Sequence, residues 1–292
     1  MRERSDKPTR NNGWLHIFRD DAPDSIISPR RAPAPKPAVE RAPDERITAV
    51  YAELTREHLV LSQPHRESLK HRGLSDGAIG LHAYRSTPTA GFAANIAPWL
   101  ARHYDLRGVP GFYRQGNEWR LNFGEWHQGI VIPVRDTHEC IVGLMIRRDE
   151  AIENKYTWLT STDKPDGLKA DALPHFARVD VARATGKIVV TEGALKSNVI
   201  SELTGEAVVG IAGVSNFPES FGQDLRRAIP ELKSAVVAYD ADFRTNEAVR
   251  RGLDKVAANL QSAGLNVTVI LWKPERGKGF DNVLAASKEV AA

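Results

Sequence analysis

Cysteine is almost absent. Cys140 is the only one in 292 residues, which excludes an internal disulfide framework and any cysteine-rich zinc ribbon made within the chain. A lone thiol of this kind is expected as a small core residue in a strand. Long apolar runs are missing too. No stretch reaches the ~18 consecutive apolar residues of a membrane span, and the charged N-terminus lacks a signal-peptide pattern, so a cytoplasmic protein without a membrane partner is expected. Neither sign of charge dominates: 40 Lys and Arg face 37 Asp and Glu, a net charge of +3. No third of the chain carries a basic block, so composition permits an acidic partner without requiring one, and any positive surface has to be assembled by folding. What is present, 41% hydrophobic and 26% charged residues, suffices for one large or two ordinary domains with their own core.

Residues 1–45 are rich in charge and proline, with Pro29, Pro33, Pro35, Pro37 and Pro43 clustered among alanines and basic residues. Such a segment buries too little apolar surface to offset its ordering entropy and reads as an extended or disordered tail. Gly13 to Phe18 is the apolar exception, either a short strand or a partner-binding peptide. From Asp44 the pattern turns helical, because Ile47, Val50, Tyr51 and Leu54 recur at spacings of three and four and bury one face. A second helix is expected over Pro64 to Lys70. A third follows Ser75 as N-cap, with Gly73 in the turn before it. His58, His65 and His71 share no metal-ligand spacing and are read as surface or packing residues. After a further helical piece, Gly91 to Asp105, the texture becomes β-rich. Phe112-Tyr113 and Trp119 to Leu121 are short strands, and Gly129 to Val134 pairs with Cys140 to Ile146 as a hairpin turning at Asp136-Thr137. Arg147, Arg148 and Lys155-Tyr156 follow it. Residues 157–180 hold polar turns and few signals.

The final third alternates strand and helix with little slack. Strand 187–191 leads to a helix carrying Leu195, Val199 and Leu203, then come strand 207–211, a helix over Pro218 to Ile229, and strand 235–239. A longer helix over Asn246 to Gln261 places Val249, Leu253, Val256 and Leu260 on one face, and Asn266 to Trp272 is the last strand. This order implies a mainly parallel sheet covered on both faces and wound by right-handed crossovers. Carboxyl ends of neighbouring parallel strands share one crevice, and two strands here end in acid, at Glu192 and at Asp240-Ala241-Asp242. An acid at a strand end is commonly only a helix cap. The combination, followed by Asp281, points instead to a magnesium site, because carboxylates held a few ångströms apart repel unless a cation sits between them. Asp240 and Asp242 face one ion only if the chain bends between them, and Ala241 leaves room for that bend.

Gly186 to about Ala286 resembles a Toprim domain, with Glu192-Gly193 and Asp240-Ala241-Asp242 matching its strand-E-G-helix and D-x-D elements and Phe280-Asp281-Asn282 its closing acid. Upstream, Leu69 to Ser75, Ile130 to Asp136, Val142-Gly143 through Arg147 and Lys155-Tyr156 are similar, in order, to segments of the catalytic core of bacterial DnaG-type primases. The resemblance spans about residues 65–290 and implies an α/β fold, a doubly wound Toprim sheet (181–292) preceded by a mixed α+β primase-core subdomain (46–180). Primase-like proteins of mobile elements are the relatives it suggests. It further implies catalysis at Glu192, Asp240 and Asp242 and two Mg²⁺ (or Mn²⁺) ions held by these acids and Asp281. Arg147 and Lys155 would line a groove for single-stranded DNA and nucleoside triphosphates. Lys196 stands where replicative primases carry an acid, and it could contact phosphate instead. With one cysteine no zinc ribbon forms, and no helicase module follows the Toprim segment, so a separate helicase is the expected partner. Two rivals stay open: a Toprim nuclease or nickase, since the same ions serve phosphodiester cleavage, and a non-catalytic DNA-binding accessory protein. No tyrosine stands in a topoisomerase-type nucleophile context, which argues against strand passage, with Tyr239 beside Asp240 the one left open by its position.

Overall fold

The computed structural model describes residues 4–8, 14–16, 39–124, 127–150, 154–213, 216–241 and 245–291. Internal contacts divide the chain into Met1–Ala38 and Val39–Ala292. In the first unit β1 (Arg4–Pro8) pairs antiparallel with β2 (Trp14–His16). The apolar Gly13 to Phe18 segment thus contributes a strand at its centre, while Gly13, Ile17, Phe18 and the prolines from Pro29 to Pro37 lie outside the described residues.

The second unit opens with α1 (Asp44–Glu53), whose stripe of Ile47, Val50, Tyr51 and Leu54 is wholly buried. A π-turn, Leu54–His58, extends it. The short helices α2 (Gln63–His71) and α3 (Asp76–Leu81) follow, and Ser75 Oγ accepts the Ala78 amide as the N-cap expected from the sequence. Gly73 takes a left-handed φ of 100° in the turn between them. The edge strand β3 (Arg85–Ser86) and helix α4 (Ala90–Leu100) lead to the hairpin β4 (Phe112–Gln115) and β5 (Glu118–Leu121). A second hairpin, β6 (Gly129–Arg135) and β7 (Ile141–Arg148), is joined by β8 (Tyr156–Trp158) to give an antiparallel sheet in the order β3-β6-β7-β8. Alternation along this hairpin divides two cores. Val131, Leu144 and Ile146 pack with α1 and α4, whereas Ile130, Ile132, Val134 and Met145 turn to the opposite face.

The remaining elements are β9 (His175–Ala177), α5 (Val179–Thr185), β10 (Lys187–Glu192), α6 (Ala194–Thr204), β11 (Val208–Ile211), α7 (Phe221–Ala228), β12 (Ser234–Val237), α8 (Glu247–Ser262), β13 (Asn266–Val269) and α9 (Phe280–Ala291). They build one doubly wound sheet in the order β13-β12-β10-β11-β9. All its pairings are parallel except β9 on β11. Ile188 and Val190 bury under α7 and α8, while Val189 faces the side of α6 and α9. Helix α6 is shared: Leu195 and Val199 pack with Leu69, Ile79, Ile130 and Ile132 of the first half in a single apolar cluster. One helix is therefore buried between the parallel sheet and the antiparallel one.

Several features depart from the sequence reading. β8, β9 and α5 fall in the stretch of polar turns, where three-residue strands offer no period to read. α7 begins at Phe221, three residues later than expected, because Pro218 to Ser220 form a turn before it. Cys140 is half-buried and precedes β7 rather than lying within it. No described helix is long and apolar enough to cross a membrane.

Candidate metal and nucleotide site

β10 ends at Glu192, and Gly193, with φ of 78°, turns the chain directly into α6. The Gly193 amide is held by the Ile211 carbonyl at 2.7 Å. Parallel pairing of β10 with β12 then fixes the second acid. The Ala238 amide bonds to the Val190 carbonyl at 2.9 Å, so the chain leaving β12 carries Asp240 alongside Glu192, and the Asp240 amide reaches Glu192 Oε1 at 3.5 Å. A third strand of chain is tied in by the Ala241 amide, which donates to the Lys278 carbonyl at 2.8 Å and brings Gly279 to Asp281 to the same place. Strand pairing thus brings together Glu192 at the end of β10, Asp240 just beyond β12 and Asp281 at the start of α9. Asp242 lies outside the described residues.

Cations meet these acids. Lys196, one helical turn beyond Glu192, pairs with Asp240 Oδ1. Arg72, from the turn after α2, reaches Asp281 Oδ2 at 3.3 Å across the two halves of the fold. The other Asp281 oxygen is buried with no hydrogen-bond partner among the described residues, an orphaned lone-pair group in a residue only 2% exposed. Burial pushes the Lys196 ammonium towards a lower pKa, but Asp240, Glu192 and Asp281 outweigh it and hold the group above its ordinary value. The opposite holds for Lys155. Burial lowers its pKa, and so do the surrounding positive charges of Arg147, Arg72, Lys278 and Lys196. Five cations therefore share one electrostatic neighbourhood, assembled from α2, α6, the β7–β8 turn and the loop before α9. Arg147, the penultimate residue of β7, lies opposite Tyr156, with its Nε buried and unpartnered among the described residues.

A cleft of about 440 Å³ adjoins these groups, and its lining includes Lys155, Lys196, Glu192, Tyr156, Trp158 and Met145. Its charged lining is thus one acid and two lysines, and β7 and β8 add apolar and aromatic surface. Among the described residues, no three acidic, histidine or cysteine side chains converge closely enough to make a ready-made metal cage. Magnesium does not need one, since one or two carboxylates plus substrate phosphates suffice. Adjoining Glu192 and Asp240, with the orphaned Asp281 oxygen, are hard oxygen donors of the right kind, and the site fits a divalent ion on that chemistry.

Of the residues singled out from sequence, Glu192, Lys155 and Lys196 line this cleft, Asp240 adjoins it through its ion pair with Lys196, and Arg147 and Asp281 lie in the electrostatic surroundings of the two lysines. Lys196 is on an acid rather than open to a phosphate. Tyr239 is 3% exposed in the core under α7 and α8, and burial, with Glu192 nearby, drives its phenol well above the usual range, which makes it a poor nucleophile. Arg72 and Lys278 were not singled out. Arg72 stands inside the Leu69 to Ser75 segment that carries the upstream resemblance, and that was its only sequence signal.

The layered arrangement defines a class of fold: a Toprim-like parallel sheet behind a mixed α+β half, as in bacterial primase catalytic cores. The zinc-binding and RNA polymerase domains of Aquifex aeolicus primase superpose with a TM-score of 0.62 at 17% identity, over 84% of this chain and 58% of that one. The chain thus spans little more than half of that primase fragment. The RNA polymerase domain of Mycobacterium tuberculosis primase DnaG matches with a TM-score of 0.61 at 20% identity, over 84% of this chain and 82% of that one. A DnaG primase catalytic domain bound to single-stranded DNA gives 0.59 at 17% identity, covering 85% and 76%. Residues 181–291 match a domain model described as a domain of unknown function, DUF3854. No curated protein matches the chain.

Proposed function

We propose that this protein is a Mg²⁺- or Mn²⁺-dependent, primase-like nucleotidyltransferase that acts on single-stranded DNA during replication of a plasmid, phage or other mobile element. Its Toprim domain would span residues 181–292 and its primase-like subdomain 46–180. The observation that carries the reading is the mixed charge gathered at one cleft: Glu192, Lys155 and Lys196 line it, Lys196 pairs with Asp240, and Arg147, Arg72 and Lys278 add positive charge around Lys155. A metal–triphosphate complex is the ligand whose charge distribution matches both signs. Glu192, Asp240 and Asp281, together with Asp242, would hold the metal, which when bound supplies Lewis-acid stabilisation of an in-line displacement at phosphorus.

The chain's own groups do the rest. Lys155, Arg147 and Arg72 neutralise the phosphates of nucleotide and template, Trp158 and Tyr156 offer a face for stacking a base, and the cleft orients the attacking 3′-hydroxyl. The likeness to a DnaG domain bound to single-stranded DNA supports DNA as the template class. The buried, high-pKa Tyr239 disfavours a tyrosine-dependent nickase, while metal-dependent cleavage without a tyrosine is the second reading that the same acids favour.

The test is primer synthesis on single-stranded DNA with ribo- or deoxyribonucleotides and Mg²⁺ or Mn²⁺, beside Asp240→Asn and Glu192→Gln. Short products from the unmodified protein alone are the expected result. Shortened template would favour the nuclease reading, and DNA binding indifferent to both substitutions with no product would refute both enzymatic readings.

A further inference from the structure

We infer that Lys196 is the resident cation of the acidic centre: its ammonium competes with a divalent ion for Asp240, so an ion enters only by displacing the protein's own side chain. This rests on reading Glu192, Asp240 and Asp281 as the metal-binding acids. Three observations carry it. Lys196 is the third residue of α6, where a positive charge faces the positive end of the helix dipole and is disfavoured by the helix itself. Its placement is instead explained by the carboxylates. The ion pair with Asp240 is mostly buried, with the two side chains 21% and 11% exposed, and Glu192 and Asp281 add their fields. Second, an acid beside it depends on a glycine. A side chain at Gly279 would collide with Asp281 Oδ1 and only touch Lys196 Cε, at 3.4 Å, so glycine there keeps Asp281 in place beside the lysine stem.

Third, the charges close. Glu192, Asp240 and Asp281 carry three negative charges, and Lys196 and Arg72 return two of them. In the absence of nucleotide, little net negative charge remains among these five groups to draw in a divalent ion. Removing Lys196 restores a unit charge directly at Asp240. When a metal–triphosphate arrives, the displaced ammonium can move to a phosphate oxygen, so the competition relaxes as substrate binds. Metal affinity and nucleotide affinity would then be coupled through one lysine.

Mn²⁺ titration of the full-length, nucleotide-free protein, followed by electron paramagnetic resonance of the free ion, tests this. K196M is expected to bind Mn²⁺ about tenfold tighter or more than the unmodified protein, because a unit charge at contact distance in a partly buried site is removed. K196R, which keeps the charge, should stay near the unmodified value, and K196M/D240N should lose the gain. Thermal melts give a second measurement: Mn²⁺ should raise the midpoint of K196M more than that of the unmodified protein. Should K196M fail to fold, K196Q takes its place. A charge-free variant that binds Mn²⁺ no tighter than the unmodified protein, including no binding by either, overturns the inference, as does a K196R that tightens as much as K196M. The titration uses neither template nor nucleotide. A protein that makes no primers can still pass it, and a failed titration leaves primer synthesis to be judged separately.

Discussion

Lowering the pH from 7 to 5 should destabilise this protein through one buried imidazole. His175 on β9 is 1% exposed and joins the two halves of the fold. Its Nδ1 accepts the Arg135 amide of β6 at 3.0 Å, and its Nε2–H donates to Asn198 Oδ1 of α6 at 2.8 Å. Asn198 in turn donates to the Tyr84 hydroxyl at 2.7 Å. A second proton on the ring would point at the Arg135 N–H, donor against donor. Burial, with minor repulsion from His82 and Arg135, accordingly lowers the pKa to about 3. The unfolded chain protonates near the ordinary value of ~6.5. The stabilisation from a neutral His175 is therefore complete above pH ~6.5 and is lost as the pH falls towards 3. At about 1.4 kcal/mol per pH unit, the step from pH 7 to 5 costs about 2 kcal/mol. Urea unfolding at both pH values, for the unmodified protein and for His175→Gln, isolates this amount, since His82, lowered by burial to about 4, contributes to both. The variant should be less stable at pH 7, because a buried amide loses its acceptor, yet its loss between pH 7 and 5 should be smaller by about 2 kcal/mol. Equal losses in the two proteins would refute the donor–donor argument.

Two further outcomes follow from the site. Arg147→Ala and Lys155→Ala should each weaken single-stranded DNA binding and reduce the slope of log affinity against log salt by about 0.7, measured by fluorescence anisotropy between low and moderate salt; an unchanged slope would remove that residue from the phosphate path. Gly210→Ala places a methyl group 2.5 Å from the Gly193 carbonyl oxygen and 2.8 Å from Ser197 Oγ, so α6 must shift off the sheet. A loss of about 1–3 kcal/mol by chemical denaturation is expected, with primer synthesis falling further than stability because the displaced turn carries Glu192.

The sequence showed the parallel sheet clearly because its inner strands β10 and β11, buried on both faces, read as short apolar runs, and Val249, Leu253, Val256 and Leu260 marked α8 by period alone. The capped start of α3 at Ser75 was equally legible. β9 was not, since its antiparallel pairing to β11 is decided by partners 31 to 35 residues away and its sequence, His175-Phe176-Ala177, carries no alternation. At the site, Glu192, Asp240 and Asp281 could be read because strand ends in a parallel sheet converge. The ion pair of Lys196 with Asp240, and that of Arg72 with Asp281 across 209 residues, could not. Both depend on tertiary approach and leave no local trace.

Helix α6 has an apolar contact on the parallel sheet and another on the β6–β7 hairpin, with Leu195 and Val199 turned to the latter. The matched segment 181–291 includes that helix but not its second partner. Expressed alone, it would display an uncovered apolar strip beside the acids, so it is expected to need its hairpin partner to stay monomeric in solution. Exchange of one half by recombination would succeed only with a donor whose hairpin presents the same surface to α6, which makes this helix the constraint on modularity in the chain.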